Sequence, residues 1–152
     1  VGADLICVSV AAAKKYGSPC IIVDMGTATK IIHLGKNGTF EGVAILPGAE
    51  ISLSALADRT AQLPHIALTA PDSAIGKNTI DSMRSGAVFG AAAAVDGMID
   101  RFFFEIGEAL PIIITGGLAG TVALHCRHTM HRDDDLVLIG LNEIFKKNMQ
   151  QA

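Results

Sequence analysis

Cys20-Ile21-Ile22-Val23-Asp24-Met25-Gly26-Thr27-Ala28-Thr29-Lys30-Ile31-Ile32-His33-Leu34-Gly35-Lys36-Asn37-Gly38 is the stretch that decides the fold. Cys20 to Asp24 is a β-branched run ending in a carboxylate, the pattern of a buried strand. Gly26-Thr27-Ala28 predicts a tight turn, and Thr29 to Leu34 a second strand. Asn37-Gly38 is a hairpin signal, because both residue types accept the positive φ that a tight turn between twisted strands requires. Thr39 to Leu46 reads as the third strand, stopped by Pro47-Gly48. Three strands joined by tight turns form an antiparallel meander.

The neighbouring segments are helical. Gly2 to Tyr16 is small and apolar and closes on Lys14-Lys15-Tyr16-Gly17, basic residues and then glycine, as helix ends do. After Pro47-Gly48 the period changes: Leu53, Leu56, Ala57 and Thr60 predict a helix over Glu50 to Gln62. Leu63-Pro64 to Ile75 is a loop. Asn78 or Thr79 caps a long Ala-rich helix running to about Glu108. Its Gly86, Gly90 and Gly97 each cost roughly 1 kcal/mol relative to Ala, so their spacing predicts close approach of another helix or a ligand. Pro111 to Ile114 is a second buried strand, closing in Thr115-Gly116-Gly117 before another helix. Asp133-Asp134-Asp135 reads as a solvated turn paired to Arg132, followed by a last strand at Leu136 to Leu138 and a helix to about Asn148. The order predicts an α/β fold with a mixed sheet, the strand near 111–115 lying parallel to the first.

Composition limits what such a domain does. A chain of 152 residues suggests one domain, long enough to bury a core without disulfides or metals. Twelve basic against 15 acidic residues give a net charge of -3, which excludes a nucleic-acid binder driven by charge. One Tyr, six Phe and no Trp leave little platform for stacking bases. Cys7, Cys20 and Cys126 are scattered, with no CxxC spacing, so neither a zinc ribbon nor a disulfide framework is readable and a reducing cytoplasm is the simplest home. The longest uncharged stretch, Ala109 to Leu124, is broken by Pro111 and Gly116-Gly117 and is too short to span a bilayer. No signal-peptide pattern opens the chain. It starts at Val1 rather than Met, and is expected to be a piece of something longer.

Two glycine turns carry the chemistry. In Asp24-Met25-Gly26-Thr27-Ala28-Thr29 a carboxylate at a strand end faces a cation, Gly26 lets backbone approach a phosphate, and Thr27 donates to it. An ordinary hairpin with a turn aspartate is the alternative for this turn alone. In Ile114-Thr115-Gly116-Gly117 a strand turns into a helix whose first amides face an anion or nucleotide; a plain tight connection is the alternative. Gly76-Lys77-Asn78-Thr79 is not a Walker A loop, since the earlier glycine and a preceding strand are missing. His125, Cys126, His128 and His131 lack a carboxylate or second cysteine to complete a metal set, and read as an exposed basic loop.

The order of these parts resembles the sugar kinase, heat-shock protein 70 and actin superfamily, which clamps ATP between two such domains. Gly2-Ala3-Asp4, Asp24-Met25-Gly26-Thr27-Ala28-Thr29, Pro47-Gly48, Leu63-Pro64, Ile75-Gly76-Lys77-Asn78-Thr79, Ser85-Gly86, Thr115-Gly116-Gly117 and Gly140-Leu141 occur in sequence. This series resembles the C-terminal part of the type III pantothenate kinases. The resemblance implies a ribonuclease H-like (actin-like ATPase) domain over residues 1–152, the C-terminal half of a two-domain kinase whose N-terminal phosphate-binding domain is not in this chain. It implies phosphorylation of pantothenate by ATP, with Mg2+ and a monovalent cation (K+ or NH4+), by a homodimer. Asp4 would be the proton acceptor; Gly2, Ala3, Asp4, Leu5 and Thr79 would bind substrate. Gly26, Thr27, Thr115, Gly116 and Gly117 would bind ATP, and Asp24 the monovalent cation. Phosphoryl transfer asks mainly for positioning and charge neutralisation, which such a set supplies.

Three positions differ from the family pattern. Leu5 stands where an Arg is usual, Lys30 where a second Thr closes the Asp24 turn, and Glu41 where the third strand has Gly. If position 41 needs positive φ, Glu costs on the order of 1–2 kcal/mol. Asp4, Asp24, Thr27 and Thr79 favour a catalytic kinase. Leu5 favours a non-catalytic member of the same fold that binds nucleotide or a partner.

Overall fold

The computed structural model describes residues 2–150. β1 (Cys20–Met25), β2 (Ala28–Leu34) and β3 (Phe40–Pro47) form the antiparallel meander. Asn37 and Gly38 turn the second hairpin with φ of 62° and 74°, the left-handed conformation that Asn and Gly tolerate. β4 (Ile112–Thr115) lies parallel to β1, and β5 (His131–Arg132) lies parallel to β4, giving the sheet order β3-β2-β1-β4-β5.

Helices cover both faces, and strand alternation decides what each face receives. Ile21, Val23 and Met25 of β1 face α3 (Thr79–Ile106), through Ala92, Val95 and Ile99, and α4 (Ala119–Val122), through Ala119 and Val122. Cys20 and Ile22 face the other way. There they meet Leu5, Val8, Ala11 and Ala12 of α1 (Ala3–Lys15) and Leu136 of α5 (Leu136–Gln150). Burying one Val, Leu or Ile in this manner contributes about 1.5–3 kcal/mol. α2 (Ala49–Arg59) adds Leu53 to a smaller cluster with Met83 and Ala87 of α3 and Leu63, Ile66 and Leu68 of the following loop. Asn78 caps α3 as expected: its side-chain oxygen accepts from the Asp81 N–H at 2.9 Å.

The two helices of the second face, α1 and α5, meet backbone to backbone. A Cβ built on Gly140 would overlap the Cys7 main chain, so only glycine allows this approach. An ion pair from Lys14 to Glu143 closes the exposed margin.

Several expectations are corrected. Leu136-Val137-Leu138 is the first turn of α5, and the last strand is His131-Arg132 instead. The Asp135 N–H donates to Asp133 Oδ1 at 3.1 Å, bending the chain, and the Ile139 N–H donates to the Asp135 carbonyl at 2.9 Å, starting the helix. Gly86, Gly90 and Gly97 bring no other helix of the chain close, since a Cβ on any of them would have nothing within 4 Å among the described residues. Glu41 lies in β3 without positive φ and carries no backbone strain. The helix after Thr115-Gly116-Gly117 is only the four residues of α4, too short to offer an anion site by its own dipole.

Asp133 is not a solvated turn residue either. It is 7% exposed, and Lys15 Nζ at 2.7 Å and the Tyr16 hydroxyl at 2.6 Å both donate to its Oδ2. The expected pairing with Arg132 is made by Asp134, at 2.8 and 3.0 Å, and Asp134 and Asp135 are exposed. Burial pushes the Asp133 carboxyl up, but the bonds from Lys15 and Tyr16 outweigh it and hold the group below the usual carboxylate range. A depressed folded pKa stabilises above the unfolded value and loses that contribution as pH falls through the folded one. Asp133→Asn is therefore expected to lower unfolding free energy at pH 7 by about 1–3 kcal/mol and to flatten the acid limb of stability against pH. Urea titrations between neutral and strongly acidic pH check both.

Candidate active site

β1 and β4 run parallel and end side by side, Asp24 opposite Thr115, so both glycine turns open at the same carboxyl edge of the sheet. That edge is where open α/β sheets bind ligands. Gly116 has φ of 101°, and a Cβ there would stand 2.5 Å from the Met25 carbonyl oxygen; the β4 turn crosses the end of β1 with no room for a side chain. The Leu118 N–H donates to the Met25 carbonyl at 3.0 Å, and the Gly48 N–H donates to the Thr27 carbonyl at 3.1 Å. The Gly26-Thr27 turn is thus tied to the β4 turn on one side and the start of α2 on the other. Thr27 and Gly117 are exposed, while Thr115 is buried beneath them.

Alternation aims Asp24 and its antiparallel partner Lys30 at the face that carries α1. Asp4 sits in the first turn of that helix. Lys30 Nζ donates to Asp4 Oδ2 at 2.5 Å and to Asp24 Oδ2 at 3.1 Å, making a carboxylate–ammonium–carboxylate bridge. The Lys30 side chain is 18% exposed, Asp24's 10% and Asp4's 49%, so the bridge runs from solvent inward. The hydrogen bond from Lys30 is the main cause holding the Asp4 carboxyl below its ordinary range, so it is ionised at neutral pH. Burial opposes the Lys30 charge, yet the bonds to both aspartates prevail and raise its pKa.

Asp4 and Asp24 therefore converge, with Thr27 three residues beyond Asp24 in the adjoining turn. Gly2 and Ala3 are exposed beside Asp4 at the mouth of α1. Leu5 is a correction: its side chain is 6% exposed and packs in the core against α1's own Val8 and the β1 face, so it offers substrate no side-chain contact. Thr79 begins α3 and lines a cleft with Leu56, Leu63, Lys77 and Met83. The histidines separate: His128 Nε2 lies 2.7 Å from Asp100, His125 stacks edge-on with Phe89, and His131 lies against Tyr16. No group of three metal-ligating side chains forms among the described residues. Two residues that sequence reading left without a role prove central. Lys30 bridges the site, and Asp96, 2% exposed in α3, accepts the N–H groups of Arg127 and His128 at 2.8 and 3.2 Å, anchoring the segment that leads to β5.

Sheet order, parallel β1–β4 pair and paired glycine turns define an α/β domain of the actin-like ATPase fold. A solved structure titled a conserved putative Baf family transcriptional activator from Campylobacter jejuni superposes with a TM-score of 0.62 at 22% identity, over 95% of this chain and 65% of that one. A non-polymerisable quadruple mutant of pCBH ParM superposes with a TM-score of 0.55 at 14% identity, over 84% of this chain and 46% of that one. Both likenesses are of fold. In sequence, residues 1–101 match the family described as type III pantothenate kinase. The type III pantothenate kinase of Rubrobacter xylanophilus is 43% identical over 100% of this chain and 60% of its own length. The chain belongs to the type III pantothenate kinase family and spans about three fifths of the curated relatives it matches. Among the described residues no helix is long and apolar enough to cross a membrane.

Proposed function

We propose that the intact protein phosphorylates pantothenate with MgATP, giving 4'-phosphopantothenate, the first step toward coenzyme A. The observation that carries this reading is the meeting of Asp4 and Asp24 at the glycine-turn edge of β1 and β4. Asp4 takes the proton of the substrate's primary hydroxyl while that oxygen attacks the γ-phosphorus and ADP departs. Thr27 and the backbone of Gly26, Thr115, Gly116 and Gly117 hold one side of the nucleotide. Gly2 and Ala3 line the approach to Asp4, and Thr79 contributes to substrate binding in a homodimer. Magnesium enters with the triphosphate as part of the substrate. A cytoplasmic home agrees with three free thiols. The non-catalytic alternative gains nothing from the comparisons, whose curated matches are named as kinases.

The edge carrying Asp4, Thr27 and Gly117 is exposed, which supports a clamp completed by a second, preceding domain. The 152-residue chain alone is accordingly expected to turn over at least about a thousandfold more slowly than the intact protein, because preorganised donors around the transferring phosphoryl group each supply several kcal/mol. Coupled ADP release with pantothenate, run on both proteins, tests this. Equal turnover would remove the two-domain clamp, and a silent intact protein would remove the kinase reading.

A further inference from the structure

The family resemblance puts a monovalent cation at Asp24. The residues present do not fit one. Lys30 Nζ already bonds Asp24 Oδ2 at 3.1 Å and Asp4 Oδ2 at 2.5 Å. Its side chain is 18% exposed and Asp24's 10%, so the Lys30–Asp24 pair is a held internal contact rather than a loose surface pair. The β1–β2 register fixes it, since Asp24 and Lys30 are direct antiparallel partners on the face that α1 covers.

We propose that the Lys30 ammonium is a built-in monovalent cation, which excludes potassium or ammonium from the Asp24 site and makes this enzyme independent of added monovalent salt. The inference rests on the kinase reading above. An ammonium carries the charge of a potassium ion in a similar radius, and Lys delivers it as a compact point charge on a flexible stem. Two carboxylates held together in a partly buried place repel each other unless a cation lies between them. Here the chain supplies that cation covalently, at the position where the family pattern has a threonine. A free ion entering the same place would meet the Lys30 charge at contact distance and find both Oδ2 atoms engaged. Lys30 is a positioning and charge-compensating residue: it touches Asp4, and it leaves the remaining Asp4 oxygen to receive the substrate proton. Leu5 fits the same exchange. The cation that the family carries on α1 is absent here, and a cation has appeared on β2, facing the same end of that helix.

The test uses the intact protein and its Lys30→Thr variant, with two separate readouts. Thallium(I) nitrate titrations followed by thallium NMR line broadening report occupancy of a potassium-type site without requiring activity. ADP-release assays compare potassium salts with tetramethylammonium salts at constant ionic strength. The native protein is expected to broaden thallium no more than a non-binding control, and its rate to change less than about twofold with potassium. Lys30→Thr is expected to gain saturable thallium binding, to lose roughly tenfold or more of its rate in tetramethylammonium, and to recover it with potassium. Saturable thallium binding by the native protein, or strong stimulation by potassium, would overturn the proposal. So would absence of thallium binding in both proteins, because Lys30 would then not be what keeps the ion out. An intact protein without kinase activity refutes the functional reading, and the thallium comparison still decides the site.

Discussion

Asp4→Asn in the intact protein is expected to lower kcat for pantothenate phosphorylation by about 10²- to 10⁴-fold, the range a positioned general base supplies. Asparagine keeps the size of the side chain, and its amide oxygen still accepts from Lys30. What it loses is the capacity to take a proton. KM for pantothenate is therefore expected to change little, so that kcat and kcat/KM fall together, the signature of an interaction needed in the transition state. Asp4 is half-exposed, and among the described residues its one side-chain partner is Lys30. The variant should unfold within about 0.5 kcal/mol of the native protein, as exposed substitutions do. Steady-state ADP release and a urea titration on the same preparation separate the two effects. Unchanged turnover would remove Asp4 as the base.

The second large effect is structural. Gly140→Ala is expected to cost about 3 kcal/mol and to lower the thermal midpoint of the intact protein by roughly 6–12 °C. The added methyl meets the main chain of Cys7, and a main chain cannot rotate aside as a flexible side chain does. α5 must move away from α1, loosening Leu136 against Leu5 and Val8. Because α1 carries Asp4, kcat should fall as well, and activity should show more temperature dependence than in the native protein. Differential scanning calorimetry and assays at two temperatures check this. A midpoint unchanged within error would mean that the helices have room to separate.

What was legible in the sequence was what local pattern dictates. The β-branched run at Cys20 to Val23, the Asn37-Gly38 turn and the stop at Pro47-Gly48 are short-range signals, and the meander follows from them. The parallel pairing of β4 with β1 follows from a strand of four buried residues bracketed by helices. Even the opposition of Asp24 and Lys30 is contained in a tight turn at Gly26-Thr27, since such a turn sets the register. Other features depend on partners far along the chain. Asp133 looks solvated beside two other aspartates, but Lys15, 118 residues away, buries it. Leu136-Val137-Leu138-Ile139 is a short apolar run that periodicity alone leaves undecided between strand and helix. The hydrogen bonds of the preceding aspartates decide it. The cost of the α3 glycines predicts a packing surface, yet cost says nothing about which face they occupy. The arrival of Asp4 beside Lys30 is a tertiary event, visible only once α1 is laid across the sheet.

The seat of α1 against α5 has a consequence for how the protein comes into being. In order of synthesis, α1 is made before any strand of the sheet described here, and Gly140, on which its backbone rests, is made long after. Bringing together segments so far apart costs about 4 kcal/mol of chain entropy by length alone. Contacts of such separation are late rewards in folding and slow it. On the ribosome, the helix bearing Asp4 has the sheet to lean on but not its second neighbour until α5 has emerged. The Gly26-Thr27 turn between β1 and β2 is complete much earlier. A nascent chain would thus complete the Gly26-Thr27 turn before Asp4 is fixed beside it, because the seat of α1 waits for α5.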